Sequence, residues 1–226
     1  MTPNAFTRLA AVCGLASAVL FTVAWSVAGI LEDHYDNLRQ DVSDFGALTA
    51  THPLPYNVAV SIHGALAVAL AAGLFVALGR GWTAWLGSLA LGVFGVGDFL
   101  DGLLREDCSP SGNKACRAAM DAGNASWHHQ AHDLESLFTI LAVVIAPILL
   151  AFAFRQRERW RDLFIWSLFA AAVAFVAIAW YAVLFSAQDG SAYSGLLQRV
   201  AIVAAMAWLF VVSWRLYRTS EVQHAA

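Results

Sequence analysis

Six apolar runs, at about residues 9–31, 56–79, 82–104, 130–154, 163–186 and 195–217, limit what this chain can fold into more than any other feature. Each is near the ~20 residues that a helix needs to cross a hydrocarbon core of about 30 Å. Lipid offers no hydrogen-bond partner. A crossing segment must therefore satisfy every backbone N–H and C=O within itself, and the runs are predicted to be helices. The expected fold is all-α: a polytopic membrane protein whose residues 1–226 form a single six-helix transmembrane bundle. Polar stretches at 32–55, 105–129 and 187–194 join the spans on one side. Composition agrees, because only 13% of residues are charged where a soluble domain carries roughly 25%. A net charge of −3 gives no basic footprint for a nucleic-acid partner.

The first run has two readings. Arg8, the apolar stretch after it and the small triplet Ser26-Val27-Ala28 resemble a signal peptide. The stretch from Leu9 to Leu31 is longer than a usual signal core, so a retained helix is expected. Small residues at helical spacing, such as Ala65, Ala69 and Gly73, or Ser88 and Gly92, let helices approach closely. Pro147 is expected to kink the fourth span.

Orientation follows from the basic residues near the span ends. Arg155, Arg157, Arg159 and Arg161 crowd the loop between spans four and five, which makes that loop cytoplasmic. With six spans, Arg8, Arg80, Arg215 and Arg218 fall on the same side, and both termini are cytoplasmic. Thirteen of the sixteen acids then lie on or near the outer face, with every histidine except His224. Cys108 and Cys116 fall in an outer loop, where a disulfide persists, and are expected to pair.

Ionisable side chains nevertheless enter the spans. Asp98 and Asp101 share a face of span three, and Arg105 lies four residues beyond Asp101. Asp98 lies about four turns from the inner end of its helix. An ion there costs on the order of 3 kcal/mol if it faces lipid, so it should face the bundle interior and have a partner. Span two brings His63 to a similar depth, about two turns below Tyr56. Span four opens with "SWHHQAHDLES": His128 and His132 are i, i+4 on one face, and His129 and Asp133 form a neighbouring pair. An HxxxH pair is a familiar donor of two imidazoles to one metal, with Asp133 or Glu135 as acceptors behind them. A plainer reading also exists, in which Ser126 caps the helix, Trp127 anchors it at the interface and the histidines are solvated. Gln198 and Arg199 lie near the outer end of span six, and the first outer loop, with Asp41, Ser43 and Asp44, is a candidate lid.

Three functions compete. In the first, a metal-dependent hydrolase, His63, His128 and His132 hold Zn²⁺ and leave a fourth position for water. Asp98 or Asp101 acts as base, and Arg199 or Arg105 neutralises a developing oxyanion or a lipid headgroup. Ser43, Asp44, Asp133, Glu135 and Gln198 support the metal or the substrate, a lipid amide, ester or phosphoester entering from the outer leaflet. The second is a non-catalytic lipid-binding or membrane-complex assembly protein. The third is a proton-linked transporter, disfavoured because the inner halves of the spans lack charges. No haem is expected, since the inner ends lack histidine pairs. No retinal is expected, since Lys114, the only lysine, lies in a loop. Membrane lipids are the expected partners, and a homodimer is compatible with six spans.

Four stretches carry a family resemblance: "SDFGALTATHPLPYN", the "REDCSPSG" loop with its second cysteine, "SWHHQAHDLES" and "GLLQRVAIVAAMAWL". Together and in this order they resemble the domain-of-unknown-function family 998, six-span bacterial membrane proteins. The resemblance implies a six-span fold in the bacterial cytoplasmic membrane and marks Ser43, Asp44, Gly46, Asp107, His132, Gln198 and Arg199. It implies no activity. Alkaline-ceramidase-type membrane hydrolases, which bind zinc through one His and an HxxxH pair, offer an analogy only, because the span count differs.

Overall fold

The computed structural model describes residues 2–186 and 193–222. The expected short loop at 187–194 falls mostly outside the described residues, as does His224. Among the described residues there are seven α-helices and no strand: α1 (Pro3–Leu31), α2 (Pro53–Leu78), α3 (Trp82–Asp101), α4 (Lys114–Asp121), α5 (Trp127–Arg155), α6 (Leu163–Ser186) and α7 (Ser194–Val222). All but α4 are long and apolar enough to cross a membrane. This is a six-span helical membrane protein.

Local sequence sets the helix ends. Thr2 caps α1 and Pro3 opens it, where a missing N–H costs nothing. Pro53 opens α2, and Gly79, at φ 62°, ends it. The Ser126 side chain accepts the His129 N–H at the start of α5. Pro147 lies inside α5, which continues unbroken to Arg155. The loop at 105–129 is not irregular throughout, because Asn113 caps the two-turn helix α4 within it. Cys108 and Cys116 are joined by a disulfide.

The spanning helices form a closed ring. Each packs on its neighbour in sequence, α3 against α5 across the α4 loop, and α7 returns to α1. Large apolar side chains such as Val19, Ile62, Leu89, Leu141, Phe175 and Val203 are exposed around its outside. A water-soluble protein would not show so continuous an apolar surface, whereas lipid covers it without cost. The seam between α2 and α3 is tight. A Cβ on Gly95 would come within 2.7 Å of the Gly64 carbonyl oxygen and 2.8 Å of the Val68 nitrogen. Glycine at both positions lets the two backbones touch, and this brings His63 against Asp98.

The two ends of the ring differ in charge. At one, Arg157 donates to the Leu78 and Ala153 carbonyls, and Arg215 pairs with Asp162. At the other, residues 32–52 fold over the ring as a fixed cap. Val42, Phe45 and Ala47 are buried there, with the Phe45 ring between Tyr35 and Tyr56.

Candidate functional site: an acid-lined cavity beneath the cap

A cavity of about 410 Å³ lies inside the ring under the cap. Its polar part is lined by Asp41, Asp98, Asp101, Glu106, His132 and Glu135, and its remaining wall by Phe94, Ile140, Val143, Ile178, Ile202 and Met206. Leu137 and Ile140 of α5 also line it while being 54% and 38% exposed, so the α5 wall opens to the side of the bundle.

His63 is fully buried at the floor, stacked on Phe21 with ring centroids 4.6 Å apart. Its Nδ1 is 3.0 Å from the Ser17 carbonyl oxygen. The Ser17 hydroxyl oxygen also lies 2.8 Å from Nδ1. The Ser17 hydroxyl donates in return to the His63 carbonyl at 3.0 Å. On the other side Nε2 lies 2.8 Å from Asp98 Oδ2. Ser17, His63 and Asp98 thus have the composition of a nucleophilic triad, but Ser17 is fully buried and committed to a backbone acceptor. The unit ties α1, α2 and α3 together and holds Asp98 at the cavity wall.

The three histidines of "SWHHQAHDLES" stitch the start of α5 to the backbone leaving α3. His132 Nδ1 is 3.0 Å from the Leu104 carbonyl oxygen, and His128 Nδ1 is 2.6 Å from that of Arg105. His129 Nδ1 accepts the Asp107 N–H at 3.0 Å, and the Asp107 carboxylate accepts the Ser126 N–H at 2.8 Å. His128 therefore turns away from the cavity. The ligand set expected from sequence, His63 with His128 and His132, is not brought together, because two of the three rings have both nitrogens engaged elsewhere. Arg105 does not pair with Asp101 either: α3 ends at Asp101, the i, i+4 register is lost, and the guanidinium turns to the Gly46 carbonyl at 3.4 Å.

Among the described residues, two other groups have ligand atoms within 4.8 Å of one another: Asp101, His132 and Glu135, and Glu106, His129 and Asp133. The second suits a cation poorly. His129 Nδ1 is occupied as an acceptor, so the neutral ring carries its proton on Nε2, and Asp133 is 65% exposed. The first is the better cradle. His132 Nδ1 lies 3.2 Å from Asp101 Oδ1 and 3.8 Å from Glu135 Oε1. Ligands on a tetrahedral ion with bonds of about 2.1 Å stand about 3.4 Å apart. Ser136 and Thr139 donate to the two Glu135 oxygens at 3.2 and 3.1 Å and fix its orientation. His132 Nε2 is 3.7 Å from Glu106 Oε1.

The cap supplies the rest. Gln198 lines the cavity and accepts the Val42 N–H at 2.6 Å; Ser43 lines it from the cap. Asp44 accepts from Ser111 above the cavity rather than lining it, and burial raises its carboxyl. Arg199 does not line the cavity: it donates to the Gln40 carbonyl at 2.8 Å and to the Tyr35 hydroxyl at 2.7 Å, so it holds the cap to α7. Tyr181 donates to Asp41 Oδ2 at 2.7 Å. Burial, then the Asp44 charge, pushes the Asp41 carboxyl up to about 7. Burial, with Asp44, Asp101 and Asp41 adding to it, holds Glu106 well above the usual carboxylate range. Ser17, Glu106 and Tyr181 escape the sequence reading. Ser17 and Tyr181 sit in apolar runs with no signal, while Glu106 is flagged only by its place beside Asp107 and Cys108.

The family described as "Protein of unknown function (DUF998)" matches residues 15–215. The chain belongs to that family. The match runs from α1 to α7, so the ring, the cap and the cavity all belong to the shared region. No curated protein and no solved structure matches the chain. The ceramidase analogy gains no support there, and His128 of its HxxxH pair is held by the Arg105 carbonyl, away from the cavity.

Proposed function

We propose that this protein is a metal-dependent membrane hydrolase that draws a lipid-like amide, ester or phosphoester sideways into the cavity. The observation that carries this reading is the Asp101–His132–Glu135 cradle on the wall of a 410 Å³ cavity whose opposite wall is apolar. Two carboxylates and one imidazole suit Zn²⁺ or a similar divalent ion. Such an ion polarises a carbonyl or phosphoryl oxygen and makes water a nucleophile near neutral pH. Water adds to the acyl carbon or phosphorus, the bond to the leaving amine or alcohol breaks, and the leaving group takes a proton. To ligate, His132 Nδ1 would have to lose its proton and its contact with the Leu104 carbonyl. Glu106, 3.7 Å from His132 and held above the usual carboxylate range by burial, is a proton donor beside the cradle. Arg199 acts through the cap and not on the substrate.

The orientation supported by the arginine distribution puts both termini in the cytoplasm and the cavity in the outer leaflet of the bacterial cytoplasmic membrane. The Cys108–Cys116 bridge at the acidic end fits an oxidising side.

Elemental analysis of the purified full chain tests the reading. About one divalent ion per chain is expected, lost in Glu135→Gln and Asp101→Asn and kept in His128→Ala. An ion-free folded protein, or an ion lost with His128 alone, refutes it. A second reading is favoured by the histidine clamp on residues 104–107: a lipid-binding or assembly module whose polar residues only hold the fold. It predicts bound lipid without the ion.

A further inference from the structure

The cavity changes character with depth. On α5 its lining passes from Glu135 and Thr139 to Ile140 and Val143, and on α7 from Gln198 to Ile202, Ala205 and Met206. From Glu135 to Val143, and from Gln198 to Met206, is about 12 Å of helix rise, so the polar and apolar ends are stacked along the bundle axis. The apolar end is not a solid wall. Phe94, Val143, Ala205 and Met206 also line a second crevice of about 10 Å³, which has room for about one water. That crevice continues past Leu91, Pro147 and Leu209, each about one turn deeper in its helix. Its lining is apolar, because the Trp208 ring N–H turns away to the Ser167 hydroxyl at 2.9 Å. The four shared residues are thus a partition between the two spaces, and they differ in firmness. Phe94 meets the His63 ring edge-on with centroids 5.8 Å apart, and His63 is itself held by Ser17 and Asp98. Met206 is unbranched, and its thioether side chain adapts to whatever packs on it. Opposite, Pro147 has no N–H for the Val143 carbonyl, so α5 lacks one hydrogen bond at the depth of the crevice.

From this we infer that the apolar part of the ligand is one linear acyl chain running inward along α3, α5 and α7, and that Met206 sets how long that chain is. The inference rests on reading the cavity as the site of a lipid-like molecule, and it holds whether or not that molecule is hydrolysed. Leu137 and Ile140 line the cavity and are exposed on the side of the bundle, so a chain passes from bilayer to cavity without meeting water. A volume of about 410 Å³ lies near the low end of the ~300–1,000 Å³ that holds one small ligand. It takes one chain with its head, and any second chain stays in the bilayer beside α5. Moving a chain from lipid to an apolar cavity gains little, since lipid tails are as apolar as the wall. Length is therefore sensed as fit. A chain that ends at Met206 fills the space, and a longer one has to displace Met206 into the crevice or overpack the floor.

Native mass spectrometry of the full chain tests this, in a steroid-based detergent that has no linear chain to compete. The probe is an equimolar mixture of lauroyl, myristoyl, palmitoyl and stearoyl monoacylglycerols, whose common headgroup is uncharged, so that only the chain differs. Wild-type protein is expected to retain chains up to one length and to bind the next longer about fivefold or more weakly, the lower end of the cost of overpacking a core. Met206→Ala joins the cavity to the crevice and should move that break to a longer chain. Ala205→Leu fills the floor and should move it to a shorter one. Phe175→Ala, on the exposed outer surface, should leave it in place. A shift in the stated direction in either floor variant upholds the inference. Equal retention of all the chains by the wild type, no retention at all, or a break unmoved in both floor variants overturns it. Failure of the metal reading is separate: the wild type then holds no ion, whereas the chain-length break needs none and should persist in Glu135→Gln.

Discussion

Replacing Asp41 with Asn should make this protein more stable at pH 8, and by only about a third as much at pH 5. Asp41 lies in the cap, 7% exposed, with Tyr181 donating to one oxygen, Asp44 nearby, and Arg199 and Arg117 as the closest positive charges. Burial and the Asp44 charge outweigh those cations and raise the carboxyl from 3.8 to about 7. The sign follows from proton counting. Between about pH 4 and pH 7 the folded protein keeps a proton that the unfolded chain has released, so stability falls as pH rises through that window and levels off above it. Three pH units at about 1.4 kcal/mol each give a ceiling of about 4 kcal/mol. Asn carries no charge and can still accept from Tyr181. The mutant's gain over wild type at pH 8 should therefore approach a few kcal/mol, a rise in melting temperature on the order of 10 °C for a chain of this size. The assay is thermal unfolding at pH 5 and pH 8 in lipid-free detergent. Equal effects at both pH values, or a wild type that gains stability towards pH 8, would refute the reasoning.

Two further outcomes follow from the interior. His63→Ala strands the Asp98 carboxylate and the Ser17 carbonyl and should cost about 3–5 kcal/mol, while the double variant His63→Leu, Asp98→Leu should recover much of it; a double-mutant cycle with no coupling would contradict the pair. At Gly97, an added Cβ would overlap the Thr139 hydroxyl and stand 3.1 Å from Glu135 Oε2, so Gly97→Ala should lower stability by about 1–3 kcal/mol. It should also weaken divalent-ion retention, since both groups orient the cradle; unchanged melting and metal content would show that α3 and α5 yield there.

How much of this was legible depends on which interactions are local. The start of α5 could be read from Ser126, because a cap is satisfied within one turn. The similar depth of His63 and Asp98 could be counted in turns, and the structure joins the two at 2.8 Å. The histidines of α5 were another matter. Spacing puts His128 and His132 on one face, but their partners, the Leu104 and Arg105 carbonyls, depend on how the chain turns after α3 ends at Asp101. Arg199 looked like a cation for a substrate and is the anchor of the cap. Glu106 looked like part of a loop and is a wall of the cavity.

The sequence alone determined that this chain spans a membrane six times with helices and gathers its carboxylates at one end, because lipid forces each crossing segment to satisfy its own backbone. The tertiary structure decided which side chains meet. Ring closure, the glycine contact between α2 and α3 and the seating of the cap select, among equally spaced histidines and acids, the few that face a common cavity. An imidazole's partner is set by distances of 3 Å across helices, which periodicity along one helix does not specify.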